Sequence, residues 1–560
     1  MKKVIALLLA LTMVVTMLAA CGGSGSDTTT AAETTAAQDE TTAADGGDAT
    51  EETTEETTEA EPEYEINYDS TITVGASTDI GSMNQFGATS PSVSLKKLLC
   101  YETLFYKNPD GELLPLLAKE YTTDGDGTYD IELFDYIYDS QGNHMTAADI
   151  VFSFEQLTTQ ASQSDLWATA TVEATGDYSV RLVANPEATG QVGKILTRVS
   201  MITEAAYNNS PDALATEPIG TGGYVLDQSR SITGASYTFT RRDDYWQTDE
   251  EYINERNTFY LKDIVCKIYT DVSTLATGLE TGEIDITSDL DTEALSFFTD
   301  GENAYEGFIQ LQDENNSFPH LLFNCAETSP CHDLKLRQAI CYAIDAAACA
   351  YQVFGSQGQV CMAPTNPNLD DSGEEFFYDE YFDYDVDKAK ELVAESSYNG
   401  ETIRILVLPR FTVSGCAVLI QNYLISVGIN SELLEYDMSV YRTMRVEADP
   451  QYDIEMMGAT AGDSHVYSSL KELNANSYEA GVSRIMIQDD KLQELFDQVA
   501  TQKTNSPEAV KALFDYITDE CYVYGLYYCP DTVISKDNLV VHACTFAPFF
   551  GPLYNSFVIQ

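Results

Sequence analysis

The residues able to do chemistry are thinly spread along this 560-residue chain. Five histidines, at positions 144, 320, 332, 465 and 542, are scattered, with no pair at metal-ligand spacing. No Gly-x-Ser-x-Gly elbow and no His-Glu-x-x-His is present, so neither an activated serine nor a zinc-bound water is written into the chain. The run Gly220-Thr-Gly-Gly223 offers backbone N–H groups to a phosphate, but no lysine stands at P-loop spacing, and a tight turn is the reading left. Twelve cysteines include no Cys-x-x-Cys pair. One of them has telling surroundings: Cys21 follows Leu18-Ala19-Ala20 and precedes Gly22-Gly23. Enzyme chemistry is therefore not expected, and no cofactor or metal is implied.

The elements around Cys21 explain its position. Lys2 and Lys3 make a basic start, and Val4 to Ala20 is apolar apart from Thr12 and Thr16. Charged start, apolar stretch and small-residue cleavage site, in that order, are the marks of a secretory signal over residues 1–20. The site resembles those at which bacterial lipoprotein signals are cut and lipidated. That resemblance implies a diacyl anchor on Cys21, and two acyl chains suffice for stable membrane attachment. The expected location is the extracellular face of the cell membrane.

Residues 21–65 follow as a tether. From Gly22 onward they are nearly all Gly, Ser, Thr, Ala, Asp, Glu and Gln, without Lys or Arg. Such a composition buries too little apolar surface to offset chain entropy, so disorder is expected, with a span of roughly 35–40 Å. The remaining 495 residues exceed one ordinary core and call for two or more lobes. Of the net charge of −61, the signal contributes +2 and residues 22–65 contribute −14, leaving −49 on the globular part. That charge argues against nucleic acid or anionic lipid as a partner. Once Cys21 is lipidated the cysteine count is odd, so at least one thiol is free or bonded between molecules. Cys341 and Cys416 sit on apolar helical faces, where buried thiols are common. Unpaired cysteines in an exported protein point to a surface that is not oxidising.

Periodicity in the globular part alternates between strand and helix. Thr71 to Ala76 alternates as a strand does, Asp139 to Asn143 marks a turn, and Thr146-Ala-Ala-Asp149 resembles a capping box. Ile150, Val151, Phe154 and Leu157 follow at helical spacing. A helix is expected from Leu334, capped by Asp333, with Leu336, Ala339, Ile340, Ala343 and Ala347 facing a core. Ile403 to Leu408, Ile429 to Leu434 and Tyr452 to Met457 read as strands, with a helix face Ala417, Ile420, Leu424, Val427 ended by Gly428. Strand–helix–strand alternation with short links implies a parallel sheet covered by helices, an α/β fold.

Several stretches, in order, resemble the family 5 extracellular solute-binding proteins, the oligopeptide- and dipeptide-binding components of ABC importers. They are Leu114-Pro-Leu-Leu-Ala118, Met145 to Phe154, Pro218 to Tyr224, Asp244-Tyr-Trp246 and Gly282 to Ile286. Leu322-Phe-Asn324, Leu336 to Ile340, Tyr342 to Asp345, Tyr384-Asp385 and Lys388 to Leu392 continue the series. The resemblance spans nearly all of residues 70–560. It implies a two-lobed, periplasmic-binding-protein-like fold (type II, Venus-flytrap) with two hinge crossings. Lobe I would comprise residues 66–317 and 531–560, and lobe II residues 318–530. Trp246 reads as a packing residue in this setting. Closure around a ligand is the switching mode of such receptors, acting as monomers on behalf of a permease and ATPase.

A free peptide carries an ammonium and a carboxylate, and a closing cleft must replace the water it strips from both. The resemblance places Asp463, in Gly458-Ala-Thr-Ala-Gly-Asp463, where peptide-binding members hold the ligand's amino terminus. The family's usual tryptophan before that aspartate and proline after it are replaced here by Ala459 and His465-Val-Tyr467. Arg410, in Pro409-Arg-Phe411, lies near the arginine that holds the ligand carboxylate in dipeptide binders. The expected function is capture of short peptides for import. A sugar or metal chelate on the same fold, or a surface sensor or adhesin uncoupled from transport, are the alternatives. Replacing Cys21 by Ser should abolish incorporation of radiolabelled fatty acid; labelling equal to that of the parent would refute the lipoprotein reading.

Overall fold

The computed structural model describes residues 65–77, 79–86, 99–108, 112–125, 127–159, 170–184, 195–197, 199–301, 303–312, 317–355, 358–361, 363–366, 369, 382–408, 411–436, 438–445, 451–460, 466–470, 473, 483–500, 507–528, 532–541 and 557–559. Among these, no helix is long and apolar enough to cross a membrane. Met1–Glu63 and Tyr64–Gln560 are separate units, and the description below concerns the second.

Two mixed sheets organise it. The first has seven strands in the order Phe308–Gln312, Thr532–Lys536, Ile286–Thr287, Thr71–Ala76, Asp263–Ile268, Ser236–Arg241, Tyr224–Leu226. Thr71–Ala76 runs parallel to both of its neighbours, while Thr532–Lys536 is antiparallel to the strands on either side of it. The second sheet has five strands, ordered Ser431–Glu435, Ile403–Val407, Ile454–Thr460, Ser317–Phe323, Val523–Gly525. A four-stranded antiparallel sheet, ordered Ala118–Thr123, Thr128–Leu133, Ser179–Ala184, Ala170–Gly176, stands beside the first, with helix Ala147–Thr159 packed against it.

Each large sheet has its own core. One buried cluster gathers Ile72, Val74, Phe239, Ile264 and Ile286 with Val533; the other gathers Phe318, Leu321, Ile405, Ile454 and Phe514. The clusters share no residue. The chain passes from one sheet to the other between Gln312 and Ser317, and returns between Tyr528 and Thr532.

Local signals act where the sequence places them. Asp333 caps helix Leu334–Ala343 by accepting from the Lys335 N–H, and Leu336, Ala339, Ile340 and Ala343 are buried. The helix stops sooner than its apolar spacing foretold: Ile344 is extended, Asp345 caps a new helix Ala346–Phe354, and Ala347 faces solvent. An aspartate that can cap competes with helix continuation, and here capping wins. Half of the expected capping box forms, the Asp149 carboxylate accepting from both the N–H and the hydroxyl of Thr146 at 2.7 and 2.9 Å. In the second sheet the observed strands Ser431–Glu435 and Ile454–Thr460 start two residues later than expected.

The glycine run is more than a turn. Gly220, Gly222 and Gly223 do not adopt positive φ. They are small because the chain at residues 99–101 and the Phe259 ring press directly on them. A Cβ on Gly220 would stand 2.2 Å from the Cys100 carbonyl oxygen, and one on Gly222 would stand 2.5 Å from that of Leu99. Trp246 packs, as expected, on Phe134 and Tyr245, and its indole N–H donates to the buried Glu102 carboxylate at 2.9 Å. Gly220→Ala should cost about 1–3 kcal/mol of stability, the range for overpacking. An unchanged midpoint in denaturant unfolding would contradict the close approach.

Candidate ligand cleft

In open sheets with parallel strands, ligands bind outside the carboxyl ends at the point where the strand order reverses. The second sheet has such a point. After Ile403–Val407 the chain crosses to Ser431–Glu435 on one flank, then returns as Ile454–Thr460 on the other. Both flanking strands are parallel to Ile403–Val407; its last residue, Val407, pairs with Met456, the Leu408 N–H donates to the Met456 carbonyl at 3.0 Å, and Ile454–Thr460 runs on four residues past that point. Arg410 comes three residues after the first of these strands and Asp463 three residues after the second. Arg410, Asp463 and Cys21 all lie outside the described residues.

Buried charge pins the two strands. Asp453, fully buried, accepts from the Arg404 backbone N–H at 2.9 Å, from its Nε at 3.0 Å and from its second guanidinium nitrogen at 3.2 Å. It also takes the Ser329 hydroxyl at 2.8 Å. Two residues on, and so on the same face, Glu455 accepts from the Tyr441 hydroxyl at 2.5 Å and Arg445 Nε at 2.6 Å. These bonds bind helix Met438–Arg445 to the strand that leads to Asp463. Gly458 has a packing reason: a Cβ there would come within 2.9 Å of the Val413 side chain, so the turn following Arg410 presses on the strand preceding Asp463.

The first sheet presents its own carboxyl ends, and they are acidic. Asp289, beyond Ile286–Thr287, accepts from the N–H and hydroxyl of Ser77 at 2.6 and 2.7 Å. Asp79 accepts from the Tyr237 hydroxyl at 2.6 Å. Burial, reinforced by Asp79, pushes that hydroxyl up to about 12. Burial also raises the Cys266 thiol to about 12, with Asp289 and Asp79 adding to it. Sequence reasoning passed over Asp79 and Asp289; the signal available was their place just beyond two strands. The Thr292 hydroxyl donates to the Val353 carbonyl, joining the segment after Asp289 to the helix Ala346–Phe354 beside the second sheet.

The model for bacterial extracellular solute-binding proteins, family 5 Middle, matches residues 112–480. The chain belongs to that family. A probable peptide ABC transporter periplasmic-binding protein of Sinorhizobium fredii is 25% identical over 379 residues, covering 65% of this chain and 70% of that protein. Heme-binding protein A of Haemophilus influenzae is 24% identical over 292 residues, half of each chain. Among solved structures, the periplasmic binding protein DppA of Helicobacter pylori in complex with the peptide STSA superposes with a TM-score of 0.75 at 19% identity, covering 88% of this chain and 98% of that one. The fold is thus the two-lobed one of periplasmic binding proteins, as the order of short motifs implied.

Nine of the cysteines are described; all nine are buried and none of them is in a disulfide. No group of His, Cys, Asp or Glu among the described residues is arranged to hold a metal ion. Replacing Asp453 by Ala would leave the Arg404 guanidinium facing a buried hole. The expected cost is about 3 kcal/mol, the low end for breaking a buried pair because Arg404 is partly exposed. Equilibrium unfolding measures it, and a loss under about 1 kcal/mol would show that the pair does not hold the strands.

Proposed function

We propose that this chain is the substrate-binding component of an ABC importer, anchored by lipid on Cys21 and capturing short peptides between its lobes. The observation that carries the reading is the strand reversal in the second sheet. It sets Ile403–Val407 and Ile454–Thr460 parallel and adjacent, both running in the same direction, and the chain continues from their carboxyl ends to Arg410 and Asp463. A carboxylate and a guanidinium beyond the staggered carboxyl ends of two adjacent parallel strands suit the two charged ends of a peptide. The named relatives support the class of function, with peptide binders among them. The heme-binding relative keeps other solutes open as outcomes of the test.

On this reading residues 66–317 and 531–560 form lobe I and residues 318–530 form lobe II, with 1–20 as signal and 21–65 as tether. The chain works as a monomer, performs no reaction on its ligand, and presents the loaded form to its permease at the outer face of the membrane. Ligand favours the closed form to the extent that it binds that form more tightly.

The test is a cycle of two changes. Asp463→Asn removes the charge while keeping the shape, and should cost about 2–5 kcal/mol of peptide affinity. Acetylating the peptide's amino end should cost a similar amount in the parent and much less in the mutant, since both changes remove one interaction. Calorimetry on the four combinations measures this. Equal ratios of free to acetylated affinity in parent and mutant would retire Asp463 as the anchor.

A further inference from the structure

Two cysteines meet inside the core of the second sheet. Cys349 lies in helix Ala346–Phe354, and Cys416 immediately precedes helix Ala417–Ser426. Both are fully buried, in the cluster that holds Phe318, Ile405 and Phe514. Their side chains are hydrogen-bonded to each other. Tyr527 completes the group. Its hydroxyl lies 3.4 Å from Cys416 Sγ, and its ring meets that of Phe354, at the end of the Cys349 helix, edge-on at 6.0 Å.

The surroundings of Cys416 favour its thiolate. It occupies the N-cap position of a ten-residue helix, at the positive end of the helix dipole, yet makes no side-chain capping bond. The Cys349 thiol beside it lowers the Cys416 thiol most, against burial, and the Tyr527 hydroxyl and the Cys416 N–H lower it further. Cys349 moves the other way, raised first by its bond to Cys416 and then by burial, so it keeps its proton. One sulfur ready to attack beside another that holds its proton is the arrangement of a nucleophile and its resolving partner. The chain supplies a contrast. Cys341 and Cys521 are hydrogen-bonded too, but burial, then that bond, hold Cys341 well above the ordinary thiol range in spite of the Arg337 charge.

We infer that Cys349 and Cys416 form a redox-sensitive staple, reduced in the resting chain and closed to a disulfide by hydrogen peroxide. Both sulfurs are buried, so the oxidant has to be small, and peroxide is little larger than water. The Cys416 thiolate attacks one peroxide oxygen, the O–O bond breaks, and the departing hydroxide takes up the proton Cys416 had released. The Cys349 sulfur then attacks the resulting sulfenic sulfur, the S–O bond breaks, and hydroxide leaves with the Cys349 proton. Two thiols are oxidised by two electrons in all, and one peroxide is reduced to two waters. The disulfide ties helix Ala346–Phe354, whose Val353 carbonyl accepts from Thr292 beyond the first sheet, to the segment that follows Arg410.

The full chain is treated with hydrogen peroxide, in buffer and separately in urea, then digested without reductant and mapped by mass spectrometry. In buffer a linked pair of peptides containing Cys349 and Cys416 is expected, two hydrogens lighter than the two apart and separated by dithiothreitol. Cys341 and Cys521 should stay reduced over the same exposure. Cys349→Ala removes the resolving thiol, so Cys416 should gain oxygen instead, whereas Cys416→Ala should leave Cys349 unmodified. A cross-link constrains the unfolded chain, so oxidation should raise the Tm of the parent and not that of Cys349→Ala. If either variant fails to fold, the mapping and the Tm of the parent still decide. Absence of the linked pair, its formation only in urea, equal closure of Cys341 with Cys521, oxygen on Cys349 when Cys416 is gone, or an unmoved Tm in the cross-linked parent overturns the proposal.

Discussion

The carboxylate of Asp453 is the constraint on which the cleft side of the second sheet depends. Fully buried, it gathers the backbone and guanidinium of Arg404 and the hydroxyl of Ser329. The Asp453 N–H donates in return to the Arg404 carbonyl at 2.9 Å. One side chain thus sets the register of Ile403–Val407 against Ile454–Thr460 and ties both to the turn at Ser329. Register matters because a slip of one residue exchanges the faces of a strand. It would bring Ile454 and Met456 out of the apolar core and put Asp453 and Glu455 in their place. The cost of burying the acid is offset by the number of donors it finds, and the position of both strand ends follows.

The first sheet meets the same problem with different chemistry. Glu102 is fully buried under the glycine run and accepts from Tyr245 at 2.5 Å and Trp246 at 2.9 Å. Desolvation raises its carboxyl, and those two donors and the charge of Arg256 work against that rise. Residues 99–101 can carry this acid into the core only because Gly220 and Gly222 leave room for their backbone. Stretches that read as family markers in the sequence are therefore parts of one packing arrangement: the Pro218–Tyr224 run, Asp244-Tyr-Trp246 and the chain beneath them.

The cysteines change meaning once their surroundings are known. Free thiols in an exported chain pointed to a surface that is not oxidising. Yet burial raises Cys266, Cys325 and Cys361 to about 12. The thiolate is the reactive form, so these groups are protected by burial as well. Their free state then says less about the compartment than their number implied.

Signals that act within a few residues were legible in the sequence: the strand Thr71–Ala76, the Asp333 cap, and the ordered motifs that identify the family. So was the exclusion of serine-elbow and zinc-helix chemistry. The second helix start at Asp345 was not, because two local preferences compete there and tertiary packing chooses between them. Nor was the place of Thr532–Lys536, inserted between Ile286–Thr287 and Phe308–Gln312. Its partners lie more than 200 residues away, and no periodicity within a strand encodes which distant edge it will meet. The same limit hid Asp79 and Asp289, which become neighbours only when Thr71–Ala76 pairs with Ile286–Thr287. Capping and hydrophobic period are properties of a segment and can be read from it. Strand neighbours, close backbone approaches and the grouping of charges at strand ends come from the folded chain, because only there do distant segments compete for the same partners.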